Sequence, residues 1–259
     1  MAASGDASYI RQRNLILALL VALSAACWFL LYRQEQAAGM GALMQATMGM
    51  TFPLFLAVWV VMMAAMMFPA AAPMVLTFHR VQSNQRQKGR PFVPTWIFIA
   101  GYMVVWTAAG VVAFCLALAG EWLARRAGWP AATVARLGGA MLVAAGAYEL
   151  TPLKALCLSK CRTPITFIMT SWRSGNGGAF RMGIEHGLYC LGCCWLLFLI
   201  LFPLGMMNVA AMALLTALIL AEKTFPRGKW TVQAAAALLI AYGAAVVLNP
   251  ALLPTFMVM

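Results

Sequence analysis

One short stretch of this sequence carries an imidazole and three thiols at helical spacing. These residues are His186, Cys190, Cys193 and Cys194. Their spacing places them at about 0°, 40°, −20° and 80° around a helix, so all four share one face. A single cysteine in a membrane helix commonly packs as a small hydrophobic residue. Three thiols beside an imidazole instead supply soft ligands, which suit Cu(I), zinc or an iron–sulfur centre.

The length of this face limits how its residues can bind an ion. At 1.5 Å per residue the four side chains extend over about 12 Å. One ion cannot contact all of them unless the helix is broken. We therefore expect a subset to bind the metal together with a ligand from elsewhere in the chain.

A second pair of thiols, Cys157 and Cys161, lies in a segment that we predict to be a cytoplasmic loop. Its C-x3-C spacing is looser than the C-x2-C of common zinc sites. The neighbouring Lys160 and Arg162 are expected to lower the pKa of these thiols. Taken alone, the pair is equally consistent with two unreactive thiols. A metal-binding role for the pair is favoured because both groups of cysteines are predicted to lie on the same side of the membrane.

Methionine supplies a third group of soft ligands, with 19 residues in the chain. One group forms two i, i+4 ridges in the second apolar block, and another repeats at i, i+4, i+8 in the first outer loop. The first group is Met62, Met63, Met66 and Met67, and the second is Met40, Met44 and Met48. Thioethers bind Cu(I) and, unlike thiols, form no disulfides on an oxidising side. Methionine is also a flexible apolar filler, and the sequence leaves both interpretations open.

Few charged residues fall inside the apolar blocks, and Glu149 is the notable one. A carboxylate inside a membrane indicates function by default. Glu149 could pair with Lys154, relay protons or complete a metal site. Pro69 and Pro73 also lie in an apolar block, where the carbonyls they free are tolerated only if protein or water groups satisfy them.

Long apolar blocks must position all these residues. The sequence is 64% hydrophobic and 9% charged, whereas globular proteins average about 25% charged residues. An apolar block of about 20 residues crosses a bilayer as a helix. Seven such blocks cover approximately residues 15–32, 52–76, 95–119, 133–150, 183–202, 206–221 and 231–248. The prediction is an all-α integral membrane protein, with residues 1–259 forming one polytopic domain of about seven transmembrane helices.

The distribution of Lys and Arg predicts the orientation. Fourteen of the 18 fall in the N-terminal segment and the alternate loops, and four fall in the opposite segments. The positive-inside rule places the N-terminus in the cytoplasm and the C-terminus outside the inner membrane. The net charge of +12 is thus explained by orientation in a lipid bilayer, and we expect no nucleic-acid partner.

Four motifs of this sequence together resemble one bacterial family. They are MMAAMMFP at residues 62–69, the segment 152–164 with its two cysteines, the segment 183–195 with the imidazole and three thiols, and Glu222-Lys223. The family is described as predicted metal-binding integral membrane proteins of unknown function. The resemblance covers residues 55–225 and implies a bound metal, while the substrate and any reaction stay open.

Three functions remain open at this point. The first is a protein that binds a soft metal, with copper as Cu(I) favoured and zinc or iron as alternatives. It would handle the metal, deliver it to a membrane cuproenzyme, help to assemble that enzyme or transport the ion. The second is a metal-dependent or thiol-based membrane oxidoreductase. The third is an accessory subunit or scaffold of a membrane complex. The scarcity of polar residues along the blocks weighs against transport.

Overall fold

The fold consists of helices joined by short turns. The computed structural model describes residues 2–37, 49–89, 91–225 and 228–255, and these are 88% helix with no strand among them. The ten α-helices are α1 (Ala2–Ala37), α2 (Phe52–Gln87), α3 (Thr95–Arg126), α4 (Ala131–Glu149), α5 (Pro152–Arg162), α6 (Pro164–Ser171), α7 (Gly175–Leu199), α8 (Leu201–Leu204), α9 (Val209–Thr224) and α10 (Gly228–Leu248). The predicted all-α class is confirmed.

Six helical segments are long and apolar enough to cross a membrane. They are Tyr9–Ala37, Phe52–Gln87, Thr95–Arg126, Ala131–Glu149, Gly175–Leu204 and Lys229–Leu248. The sixth predicted block, residues 206–221, overlaps α9, which has 16 residues. A helix of that length extends about 24 Å, against about 30 Å for the hydrocarbon core of a bilayer. A seventh span therefore stays a prediction.

The segment that we predicted to be a loop after the fourth block is helical. Thr151 caps α5 with a side-chain oxygen that accepts from the Lys154 N–H, and Pro152 follows at the first helical position. Both residue types favour a helix start. Thr163 lies between α5 and α6 without such a side-chain cap, since its hydroxyl donates to the Ser159 carbonyl, and Pro164 again takes the first helical position. The segment between the fourth and fifth predicted spans thus consists of two short helices, and its cytoplasmic location stays a prediction.

Close contact between α3 and α7 sets the position of the α7 face that carries His186, Cys190, Cys193 and Cys194. The Phe180 carbonyl lies against Gly101, and the Phe98 carbonyl lies against Gly183. A Cβ at either glycine would overlap that carbonyl. Small residues permit this approach of two helix backbones. The approach brings this face of α7 against Tyr102 of α3.

Pro69 lies inside α2, and side chains of α1 bond to the carbonyl that it leaves without a helical partner. Proline has no N–H to give the Ala65 carbonyl one turn earlier. That carbonyl instead accepts from Ser24 Oγ at 2.7 Å and from Trp28 Nε1 at 3.1 Å. Protein groups thus satisfy this freed carbonyl, as expected for a proline inside an apolar helix.

A buried ion-pair network fastens α5 to α4 and α9. Lys154 of α5 is fully buried and donates to the carboxylates of Glu149 and Glu222, the latter at 2.8 Å. Arg162, also on α5, donates to the Glu222 carbonyl at 2.7 Å and to the Phe225 carbonyl at 2.8 Å. Lys154 is therefore a structural cation inside the protein, although the sequence suggested a charge in a cytoplasmic loop.

Replacing the cation of this network should destabilise the protein strongly. Lys154→Met leaves two buried carboxylates without their shared partner, and we expect a loss of about 3–5 kcal/mol in unfolding free energy. The control is Arg125→Met, which removes one member of the surface pair with Glu121, whose arginine side chain is 77% exposed. This change should cost at most about 1 kcal/mol. Circular dichroism during denaturant titration in detergent measures both, and equal losses would contradict the role of the network.

Candidate metal centre

Helices α5 and α7 bring four thiols together in the interior. We call this group the thiol cluster, and it consists of Cys161, Cys190, Cys193 and Cys194. All four are buried, with exposed fractions from 0% to 9%. The Cys161 thiol is hydrogen-bonded to the thiols of Cys190 and Cys193, and these bonds together with burial raise its pKa well above the ordinary value. Cys161 is thus a donor group that reaches this face of α7 from another element.

Two of the thiols on α7 form hydrogen bonds to the backbone of their own helix. Cys193 Sγ and Cys194 Sγ both donate to the Cys190 carbonyl, at 3.1 Å and 2.8 Å. Such bonds to a preceding carbonyl are common for small polar side chains in helices. Within the part of the chain that the structure describes, no three His, Cys, Asp or Glu residues are already arranged around one point as ligands. Binding an ion therefore requires these side chains to turn away from the carbonyl.

His186 lies one helical turn before Cys190 and has no hydrogen-bond partner. Its exposed fraction is 2%, and neither ring nitrogen is bonded to any group among the described residues. The ring is enclosed by Phe98, Tyr102 and Phe167, with centroids at 5.9, 5.4 and 5.6 Å. A buried polar group without a partner costs free energy. A bound ion or an ordered water is a standard explanation for such a group.

Two residues that contact the cluster were not among the candidates from sequence. Tyr102 Oη lies 3.2 Å from Cys190 Sγ, and Lys223 Nζ donates to the same sulfur at 3.0 Å. Lys223 had one signal, the Glu222-Lys223 motif of the resemblance. Tyr102 sits in a uniformly apolar block, where only the neighbouring Gly101 hints at a close contact.

Cys157 lies at the edge of the thiol cluster. It is half-buried, and its Sγ packs over Gly192 of α7, where a Cβ would overlap it. Burial raises its pKa, and the nearby Cys193 sulfur adds to the effect. The predicted lowering by Lys160 and Arg162 was wrong. The Arg162 guanidinium points to the backbone carbonyls of Glu222 and Phe225 instead.

The methionines of α2 are core residues. Met62, Met63, Met66 and Met67 are each at most 1% exposed and belong to the same buried core as the thiol cluster. Their role as ligands stays a prediction. The outer-loop group of Met40, Met44 and Met48 lies outside the described residues.

Glu149 has a partner other than a metal. Its carboxylate accepts from Lys154 in the buried network, which is one of the three roles that the sequence left open. Through this ion pair with Lys154, Glu149 joins α4 to α5 in this structure. It supports the thiol cluster indirectly, through the helix that carries Cys161.

Comparison with known proteins gives one match. A family model described as PpoB2, copper chaperone, matches residues 56–246 of the 259 in the chain. No curated protein and no solved structure matches the chain. The matched region contains the whole thiol cluster together with His186, Cys157 and Lys223.

Proposed function

We propose that this chain, which belongs to the PpoB2 copper chaperone family and so handles copper, carries Cu(I) as cargo on the thiol cluster and His186. One observation carries the proposal. A buried imidazole whose two nitrogens have no partner among the described residues adjoins four buried thiols from two helices. Every one of these groups is a donor that Cu(I) prefers.

The donor set favours copper over the other metals that the sequence left open. The family description names copper and gives no support for zinc or iron. Thiolates select Cu(I) through their softness, and a subset of the cluster suffices to hold the ion.

An excess of donors suits delivery. A chaperone must bind its cargo firmly and still release it, and spare thiols let the ion move by exchanging one sulfur for another. Cys157 is half-buried beside the buried cluster, so it is the thiol best placed to meet an acceptor. We propose a cuproenzyme, alone or within a membrane complex, as that acceptor. The α2 methionines would then hold Cu(I) more weakly on its way to the thiols.

The surface of the helices supports a location in the inner membrane. Large apolar side chains are exposed along the candidate spans, including Leu19, Leu116 and Leu238 at 60%, 53% and 71%. Water would make such a surface unfavourable, whereas lipid tails cover it. We propose that α9 is the seventh span, which places the N-terminus inside and the C-terminus outside.

A C-terminal fusion of alkaline phosphatase to the full chain tests this arrangement. The enzyme needs disulfides, which form outside the cytoplasm, so the fusion should be active in intact cells. A green fluorescent protein at the N-terminus should fluoresce and serves as the inside control. An inactive C-terminal phosphatase would contradict the seven-span orientation and favour six spans with both termini inside.

Copper content tests the cargo site itself. The full chain, purified in detergent under reducing conditions and loaded with Cu(I), should retain about one ion per chain. Cys190→Ser should lose most of it, because Cys190 is the thiol at the centre of the cluster contacts. Cys115→Ser is the matched control, since Cys115 is exposed on α3. Wild-type protein that binds no Cu(I), or a Cys190→Ser variant with unchanged copper, would contradict the proposal.

The same samples test delivery. Copper-loaded wild-type protein and Cys115→Ser should activate a copper-free membrane oxidase on mixing, whereas Cys190→Ser should not. An oxidase that gains activity equally with all three would show that free ions, and not the chaperone, supply the metal.

A further inference from the structure

An ammonium group lies directly on the thiol cluster. Lys223 of α9 donates from Nζ to Cys190 Sγ at 3.0 Å. The lysine is partly exposed, whereas the sulfur it contacts is fully buried. A charge-assisted hydrogen bond of this kind is about twice as strong as a neutral one.

Two neighbouring cations of the described structure, Lys154 and Arg162, are engaged elsewhere. Lys154 is bonded to two carboxylates, Glu149 and Glu222. Arg162 donates to the carbonyl oxygens of Glu222 and Phe225. Among the described residues, Lys223 is a cation that contacts a cluster sulfur directly, through its hydrogen bond to Cys190 Sγ.

The charge of a loaded site depends on the valence of its ion. Each thiol that ligates a metal loses its proton. Two thiolates with Cu(I) carry a net charge of minus one, and two thiolates with Zn(II) carry none. For any fixed number of thiolates, the monovalent ion leaves one more negative charge in the site.

We infer that Lys223 is a specificity-determining residue that favours a monovalent over a divalent ion in the thiol cluster. Its ammonium is the counter-ion of the extra negative charge that the Cu(I) complex carries. Buried charge without a counter-ion is strongly unfavourable, so the lysine stabilises the Cu(I) complex more than the Zn(II) complex. This inference rests on the proposed function, because it presumes that the cluster is the cargo site.

The experiment compares the affinities of the full chain for Cu(I) and Zn(II). Each is measured by competition with a chromogenic chelator, in detergent and without oxygen. Lys223→Met removes the charge, Lys223→Gln keeps a hydrogen-bond donor without charge, and Lys223→Arg keeps the charge. Lys229→Met is the matched control, because Lys229 is exposed at the start of α10. Circular dichroism and size-exclusion chromatography verify that each variant is folded.

The ratio of Cu(I) to Zn(II) affinity should fall about tenfold or more in Lys223→Met and Lys223→Gln, the size expected for a charged hydrogen bond. Lys223→Arg and Lys229→Met should keep the wild-type ratio. A wild-type protein that binds Cu(I), together with neutral variants whose ratio is unchanged, overturns this inference and leaves the proposed function standing. A folded wild-type protein that binds no Cu(I) overturns both.

Discussion

The position of α5 depends on one buried cation, Lys154, held between the carboxylates of Glu149 and Glu222. This contact joins three helices at a point buried from solvent, so its geometry is strongly constrained. Cys161 lies on the same helix, two turns further along, and reaches the α7 thiols because α5 is fixed there. The thiol cluster therefore depends on an ion pair that is not itself part of the cluster.

Sequence reasoning predicted the long apolar helices and the shared face on α7, but not α5 and α6, because apolar length and helical periodicity are properties of single segments. It did not predict the contacts of Tyr102 and Lys223 with Cys190, which join residues 88 and 33 positions apart. A periodic pattern contains no information about which helix faces which. The expected lowering of the Cys157 pKa failed for the same reason, since the direction of the Arg162 side chain is decided by α9 and not by its neighbours in sequence.

In the proposed cargo site the thiols have hydrogen-bond partners, whereas the imidazole has none among the described residues. The thiols bond to a backbone carbonyl and to each other, and thiols bear burial at little cost. The imidazole of His186 has no such alternative, so it gains most when an ion arrives. On the proposed function, this difference lets the protein stay folded without copper and still favours uptake of the ion.

X-ray absorption at the copper edge of the chain loaded with one Cu(I) tests the central claim most directly. The account predicts nearest neighbours that are mainly sulfur together with the scattering of one imidazole. His186→Phe should remove the imidazole signal while the sulfur shell remains. A copper environment of oxygen and nitrogen without sulfur, or an imidazole signal that survives His186→Phe, would contradict the assignment of the thiol cluster and His186 as the site that holds the cargo.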